Sequence, residues 1–334
     1  MTVDPSHVLE VVEKAYDLDA DEPSWLASTL GGLLPMLDHG MGAAAFYLDA
    51  FAPVRPRAWG HTVAGAVPVP LTEVRDRQVT LPADLERRAY MNGPLLLSRE
   101  HLTREDWAQY EPLLDQFPGA RDSVAVVALD AEGRGASFTA LLPDVADFSR
   151  GARRQLVLLS AHLATAARLR RSLGAEEARF EPGGRLVHAA GRAEGRSAQE
   201  ALREAVRFLD HSRSRRGRSD PEAALEGWQA LVAGRWSLVD TFDHDGRRYW
   251  VAHENEPDAP DPRGLTRRER QVLTLRALGH GQKQIGYELG IKRSTAATHL
   301  QAARRKLDGL GDDMLAERFL ELLETPPDEP EPAR

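Results

Sequence analysis

Between residues 263 and 307 eleven cationic side chains, Arg263, Arg267, Arg268, Arg270, Arg276, Lys283, Lys292, Arg293, Arg304, Arg305 and Lys306, face only two carboxylates, Glu269 and Glu288. That local excess of nine positive charges belongs to a chain of 334 residues with a formal net charge of −8. A basic island on an acidic chain is chemistry suited to a polyanion, because phosphate neutralisation supplies most of the affinity of nucleic-acid-binding modules. Three of the four lysines, Lys283, Lys292 and Lys306, lie inside the island, and the fourth is Lys14. Charge alone leaves open a second reading, a solvated face with no partner.

Other chemistries find little material. The absence of cysteine excludes disulfide scaffolds, thiolate zinc sites, iron–sulfur clusters and thiol nucleophiles, and suits a reducing compartment. No HExxH, GxSxG or Walker loop occurs, and His39, His61, His101, His162, His188, His211, His244 and His253 lack recurrent ligand spacing. Asp243-His244-Asp245-Gly246 reads as a hairpin turn in preference to a metal loop, and Trp228, Trp236 and Trp250 as core in preference to a ligand cage. The expectation is therefore no catalytic residue, no metal and no cofactor. The start lacks a basic n-region, and no apolar run reaches the roughly 18–20 residues of a membrane span. A soluble cytoplasmic protein without a membrane partner follows.

Stepping along the chain gives the elements that would position the basic island. Residues 5–38 carry helical periodicity, with Trp25, Leu26, Thr29, Leu30, Leu33, Leu34 and Leu37 on one stripe after Asp21-Glu22-Pro23. Strands are predicted over 42–51 and 55–63, then a helical tract over 71–90 interrupted at Pro82. Thr103 caps a helix to about Phe117, Ser123–Leu129 and Ala136–Leu142 form a hairpin around Asp130-Ala131-Glu132-Gly133, and Ser149 caps a long helix to Leu173. This order resembles a GAF-type or PAS-related sensory domain. A second mixed stretch, 179–253, has strands at Arg185–Ala189, Trp236–Phe242 and Arg247–Ala252, with helices at Ala198–Leu209 and Pro221–Val232. Residues 255–264 hold three prolines and read as an extended linker, and 325–334 as a disordered acidic tail.

Inside the island the pattern is helical. Thr266 and Glu269 have capping-box spacing, Val272, Leu273, Leu275 and Leu278 form a buried side, and Gly279 ends the helix. A short helix, Gln282–Leu289, buries Ile285 and Leu289, Gly290 permits a sharp turn, and a third helix, 294–307, buries Ala296, Leu300, Ala303 and Leu307. Asp312–Leu323 adds a fourth. The run Leu265-Thr266, Arg268-Glu269, Val272-Leu273, Gly279, Lys283, Ile285, Leu289, Ile291, Thr295, His299 and Lys306-Leu307 resembles the LuxR-type helix-turn-helix family, over residues about 263–323.

The resemblance implies that the third helix enters the major groove of double-stranded DNA, and helical spacing puts Ser294, Ala297, Thr298, Gln301 and Arg305 on its open side. Family base contacts carry over to Ala297, Thr298 and Gln301, where Gln301 can pair with adenine and the two methyls can touch thymine. Lys283, Lys292, Arg293, Ser294, Thr295, His299, Arg304 and Arg305 are the candidate phosphate contacts. The fourth helix would pair protomers of a homodimer through Leu315, Phe319 and Leu322, with the apolar side of 150–173 as a second dimer candidate. This chain departs from the family at Gly281, Gln284, Gly286, Lys292, Ala296 and Ala297, and Gly286 inside a helix is expected to cost up to about 1 kcal/mol.

The fold class expected is α+β: a GAF/PAS-like sensor at 1–175, a small PAS-like mixed domain at 176–254, a linker at 255–264, an all-α four-helix LuxR-type helix-turn-helix domain at 265–324, and the tail at 325–334. The function expected is a LuxR-type transcriptional regulator. Its partners would be DNA, a second copy, a small-molecule or protein signal, and RNA polymerase if it activates. The rival readings are a partner-binding adaptor with a vestigial helix-turn-helix, and an enzyme with a DNA-binding tail.

Overall fold

In the computed structural model the protein is described over residues 4–69, 81–171, 175–214, 216–220, 231–232, 236–242, 247–255 and 265–306. Two helices open the chain, α1 (Pro5–Ala15) and α2 (Glu22–Leu37), where the sequence pattern suggested one periodic tract. The break is chemical: Asp21 Oδ1 accepts from the Ser24 amide at 2.7 Å and starts a new helix, and Trp25 Nε1 donates to the Ala15 carbonyl at 2.8 Å, folding α2 back on α1.

Strands β1 (Ala43–Asp49) and β2 (Arg57–Ala64) follow, then α3 (Ala83–Tyr90), β3 (Leu95–Leu97), α4 (Ser98–His101) and α5 (Arg104–Leu114). Next come β4 (Asp122–Leu129), β5 (Arg134–Leu142) and the long α6 (Arg150–Arg171). The β4–β5 turn forms as the sequence suggested, with Asp130 Oδ1 accepting from the amides of Glu132 and Arg134 and Gly133 at φ +74. The first sheet is antiparallel, in the order β2-β1-β5-β4-β3.

A second antiparallel sheet has the order β7-β6-β10-β9-β8, from β6 (Glu176–Glu181), β7 (Arg185–Ala189), β8 (Leu231–Val232), β9 (Trp236–Phe242) and β10 (Arg248–Glu254). Helix α7 (Arg196–Arg213) covers one face of it, burying Leu202, Val206 and Leu209 near Phe180, Trp236 and Trp250. Three helices close the described chain: α8 (Arg267–Ala277), α9 (Gln282–Glu288) and α10 (Arg293–Lys306). The expected helix 312–323 with Leu315, Phe319 and Leu322, Leu307, the stretch 71–80 of the expected helical tract, residues 172–173 of the expected long helix, the residues 256–264 of the linker, the tail, Trp228, residues 221–230 and the turn 243–246 lie outside the described residues, and the last two residues of the expected helix 221–232 are instead strand β8, paired with β9.

Alternation along the strands gives the first sheet two buried faces. Ala45, Val124, Val126, Ala136 and Phe138 pack with α1, α2 and α6. The opposite face, Phe46, Leu48, Ala125, Val127 and Leu129, belongs to a cluster that continues through Ala89 and Tyr90 into Leu265, Val272, Leu273 and Leu278 of the C-terminal helices. Helix α6 shows how amphipathicity can mislead. Its apolar side is not a free dimer surface: Leu156, Leu159, Leu163, Ala166 and Leu169 are buried within the chain, and α9 packs along another side of the helix.

Candidate nucleic-acid interface

The three C-terminal helices are assembled by a few residues. Thr266 Oγ1 accepts from the Glu269 amide at 3.2 Å and Glu269 Oε2 accepts from the Thr266 amide at 2.8 Å, completing the expected capping box. Glu269 Oε2 also takes Lys306 Nζ at 2.7 Å, so the first residues of α8 are tied to the last of α10. Burial pushes the Glu269 carboxyl up, but the bonds from Lys306 and the Thr266 amide outweigh it and hold the group below the usual carboxylate range. Lys306 therefore spends its charge inside the domain.

Gly279, at φ +83, ends α8, and Gly290, at φ +63, makes the turn into α10. Gly281 caps α9 with no side-chain bond, as its lack of a hydroxyl dictates. Gly286 corrects an expectation. A Cβ there would stand 2.8 Å from the Ile291 carbonyl oxygen, and the Ile291 amide bonds the Gly286 carbonyl at 2.8 Å. The glycine lets the turn close against α9, where a side chain would collide with the Ile291 carbonyl.

On α10, Ala296, Leu300 and Ala303 are buried at 3% exposure or less, fixing which side faces out. Ser294, Thr298, Gln301 and Arg305 are exposed along one row, while Thr295, Ala297, His299 and Arg304 are half-buried. Thr298 Oγ1 donates to the Ser294 carbonyl at 3.0 Å. Lys292 and Arg293 are exposed at the amino end of the helix, where the backbone dipole favours an anion, and Lys283 is exposed on α9.

What the sequence did not reveal is the dock between these helices and the rest of the chain. Tyr287 on α9 places its hydroxyl 2.7 Å from His162 Nε2 on α6, and His162 Nδ1 lies 3.2 Å from the Tyr16 hydroxyl. Gln284 Nε2 reaches the Val157 carbonyl at 3.5 Å and Glu288 Oε1 at 2.8 Å. At Gly279 a Cβ would meet the Met91 carbonyl at 2.5 Å and the Gly93 amide at 2.6 Å, so the turn after α8 lies directly on the loop after α3. One signal was available: Gln284, Gly281 and Gly286 depart from the family pattern, all on or beside α9, the helix that docks.

Beside the dock a cavity of about 50 Å³ is lined by Asp130, Glu132, Arg168, Arg267 and Gln271 among others. Arg168 bonds Ser237 Oγ at 2.9 Å and Asn255 Oδ1 at 3.3 Å, and Arg171 pairs with Asp130. Loss of hydration and the adjacent Asp130 carboxylate push Glu132 up to about 7, against the pull of Arg168 and Arg267. Among the described residues no group of three or more His, Cys, Asp or Glu side chains could hold a metal ion, and no helix is long and apolar enough to cross a membrane.

Residues 263–312 match the family described as "Bacterial regulatory proteins, luxR family". These residues are a LuxR-type helix-turn-helix domain. The chain is also 38% identical over 53 residues to the "Putative HTH-type transcriptional regulator YhjB" of Escherichia coli (strain K12), a stretch that is 16% of this chain and 26% of that protein. Thus only about a quarter of the relative's length is spanned. Two solved structures align at 10% identity: Escherichia coli SdiA, over 96% of this chain and 98% of that one with a TM-score of 0.32, and SdiA in complex with octanoyl-rac-glycerol, over 97% and 89% with a TM-score of 0.27. Scores this low do not define a common fold. The LuxR-type domain is accordingly the part of the chain placed by kinship, and the two sheets stand on their own description.

Proposed function

We propose that the protein is a sequence-specific transcriptional regulator that binds double-stranded DNA as a homodimer. The observation that carries this reading is the exposed row Ser294, Thr298, Gln301 and Arg305 on a helix whose other side is fixed by Ala296, Leu300 and Ala303. Helix α10 enters the major groove, with Ala297, Thr298 and Gln301 touching base edges. Lys283, Lys292, Arg293, Ser294, Thr295, His299, Arg304 and Arg305 contact phosphates and set register. Leu315, Phe319 and Leu322 pair the protomers. Residues 1–175 are a GAF/PAS-like sensor and 176–254 a smaller mixed domain, which together place the LuxR-type domain in response to a signal. The protein works in the cytoplasm without catalysis or cofactor, and contacts RNA polymerase where it activates.

Selection of bound fragments from random duplex DNA by the full-length protein tests this. A short palindrome is expected, with affinity falling steeply as salt rises. Gln301→Ala should cost about 1–3 kcal/mol at one position of each half-site. Arg305→Ala should weaken all sequences alike and lower the salt slope by about one. No enrichment at any salt concentration would overturn the reading.

A further inference from the structure

Two cavities outside the LuxR-type domain differ in scale. One, against Phe46, Tyr110, Leu113 and Phe117 on the first sheet, has about 80 Å³. The other is a cleft of about 760 Å³ between the end of α1 and the second sheet. Small-molecule sites usually measure roughly 300–1,000 Å³, so only the cleft has the size of one.

The cleft opens on the face of the second sheet away from most of α7 and reaches round to Arg213, the last residue of that helix. Val239, Thr241 and Val251 form its floor, alternating with Leu238, Trp250 and Ala252, which are turned toward the core. Its two walls carry opposite charge. Glu13, Asp17 and Asp19 stand on the α1 side, and Arg179, Arg213 and Arg248 on the sheet side, with one carboxylate, Glu176, and His253 among them, so that the sheet side keeps an excess of cations. The cations are held in place: Arg213 and Arg248 each lie 4.7 Å from the Trp250 ring, Arg248 also pairs with Asp210 at 3.5 Å, and Arg179 is bonded by both oxygens of Glu176 at 2.9 Å. An acidic wall facing a basic one across a short apolar floor complements a molecule carrying a cation and an anion at its ends.

Tyr16 belongs both to this cleft and to the dock. It lines the cleft, its hydroxyl meets His162 Nδ1, and the opposite nitrogen of that ring meets Tyr287 on α9. A neutral imidazole has one donor and one acceptor, so the hydrogen bond on its Tyr16 side dictates the one on its Tyr287 side. The ring thus joins the cleft-lining Tyr16 to α9 through two hydrogen bonds.

We propose that the cleft is an effector site for a small amphoteric molecule of the amino-acid or short-peptide class, and that Tyr16, His162 and Tyr287 carry its occupancy to the docked LuxR-type domain. This rests on the DNA-binding reading only for its functional output.

The absence of native cysteine makes the test direct. In the full-length chain Thr241→Cys puts a single thiol on the cleft floor, and Val54→Cys puts one on a position 88% exposed. Trialanine should slow alkylation of the first thiol by monobromobimane and leave the second unaffected. N-acetyl-trialanine and trialanine amide, each lacking one charge, should protect far less. Equal protection by either, or none by trialanine, overturns the amphoteric class.

Filling the cleft with the bimane group should then change amide exchange across 282–288 and shift DNA affinity by at least about fivefold. Tyr287→Phe should abolish both effects. Asp17→Cys, at an exposed site on the opposite wall, repeats this arm should Thr241→Cys fold poorly. Unchanged exchange in 282–288, or a change that persists in Tyr287→Phe, overturns the coupling. A change in exchange with no DNA binding in any form would instead refute the DNA-binding reading and leave the coupling standing.

Discussion

Helices α9 and α10 are neighbours in one domain but use their surfaces in opposite ways. Helix α10 keeps Ser294, Thr298, Gln301 and Arg305 open to solvent, whereas α9 commits Gln284 and Tyr287 to α6. The dock leaves that outer row of α10 uncovered. Under the proposed function, control from the rest of the chain would act on where the LuxR-type domain is held, since the two helices divide their duties.

The sharpest way to break the comparison is to unfold the module that contains both helices. Leu300, 3% exposed, packs α10 on its neighbours, and Leu300→Ala should cost about 2–5 kcal/mol. Thermal unfolding should show a lower transition for the C-terminal domain, with DNA binding and docking lost together. A loss of DNA binding with docking intact would mean that α10 is not needed to hold α9.

A smaller effect should separate the two helices. Gly279→Ala adds a Cβ where backbone stands at 2.5 Å and forces an alanine to φ +83, at a cost of about 1–3 kcal/mol. Exchange of the 91–93 amides should rise while α10 keeps its protection. Unchanged exchange in that loop would show that the close approach contributes nothing to the dock.

The smallest effect is a pH dependence. Glu132, pushed up to about 7, lies above the ordinary carboxylate pKa of roughly 4.3, so the folded state binds the extra proton. Its contribution to folding stability is complete below the ordinary value and disappears as pH rises through about 7. Glu132→Gln carries no ionisation cost, so its melting temperature should gain on the natural chain as pH rises through that window. A difference that stays flat with pH would assign the dependence to other groups.

The legible and illegible parts of the fold divide by sequence distance. The capping box of Thr266 and Glu269, the stops at Gly279 and Gly290 and the turn after Asp130 all depend on residues within a few positions of each other, and each forms as its spacing implies. Strand β3 has three residues and α4 four, too short for any period to register. The dock joins Tyr16 to His162 across 146 residues and His162 to Tyr287 across 125, and no periodic signal spans such separations. The apolar side of α6 was visible as a side that must be buried, but a stripe does not say what buries it. The open row of α10 was legible for the converse reason, since three buried residues at helical spacing define the outside by default.

The bond from Thr298 Oγ1 to the Ser294 carbonyl uses the hydroxyl's only proton within its own helix, and this leaves the methyl group and an acceptor oxygen as what the side chain offers outward. With Ala297 beside it, α10 presents two methyl groups at its centre. Under the proposed function, such a surface would sense the ring methyl of thymine. Duplexes carrying uracil in place of thymine would have the same hydrogen-bonding edges and lack only that methyl, and they should bind more weakly at those positions alone.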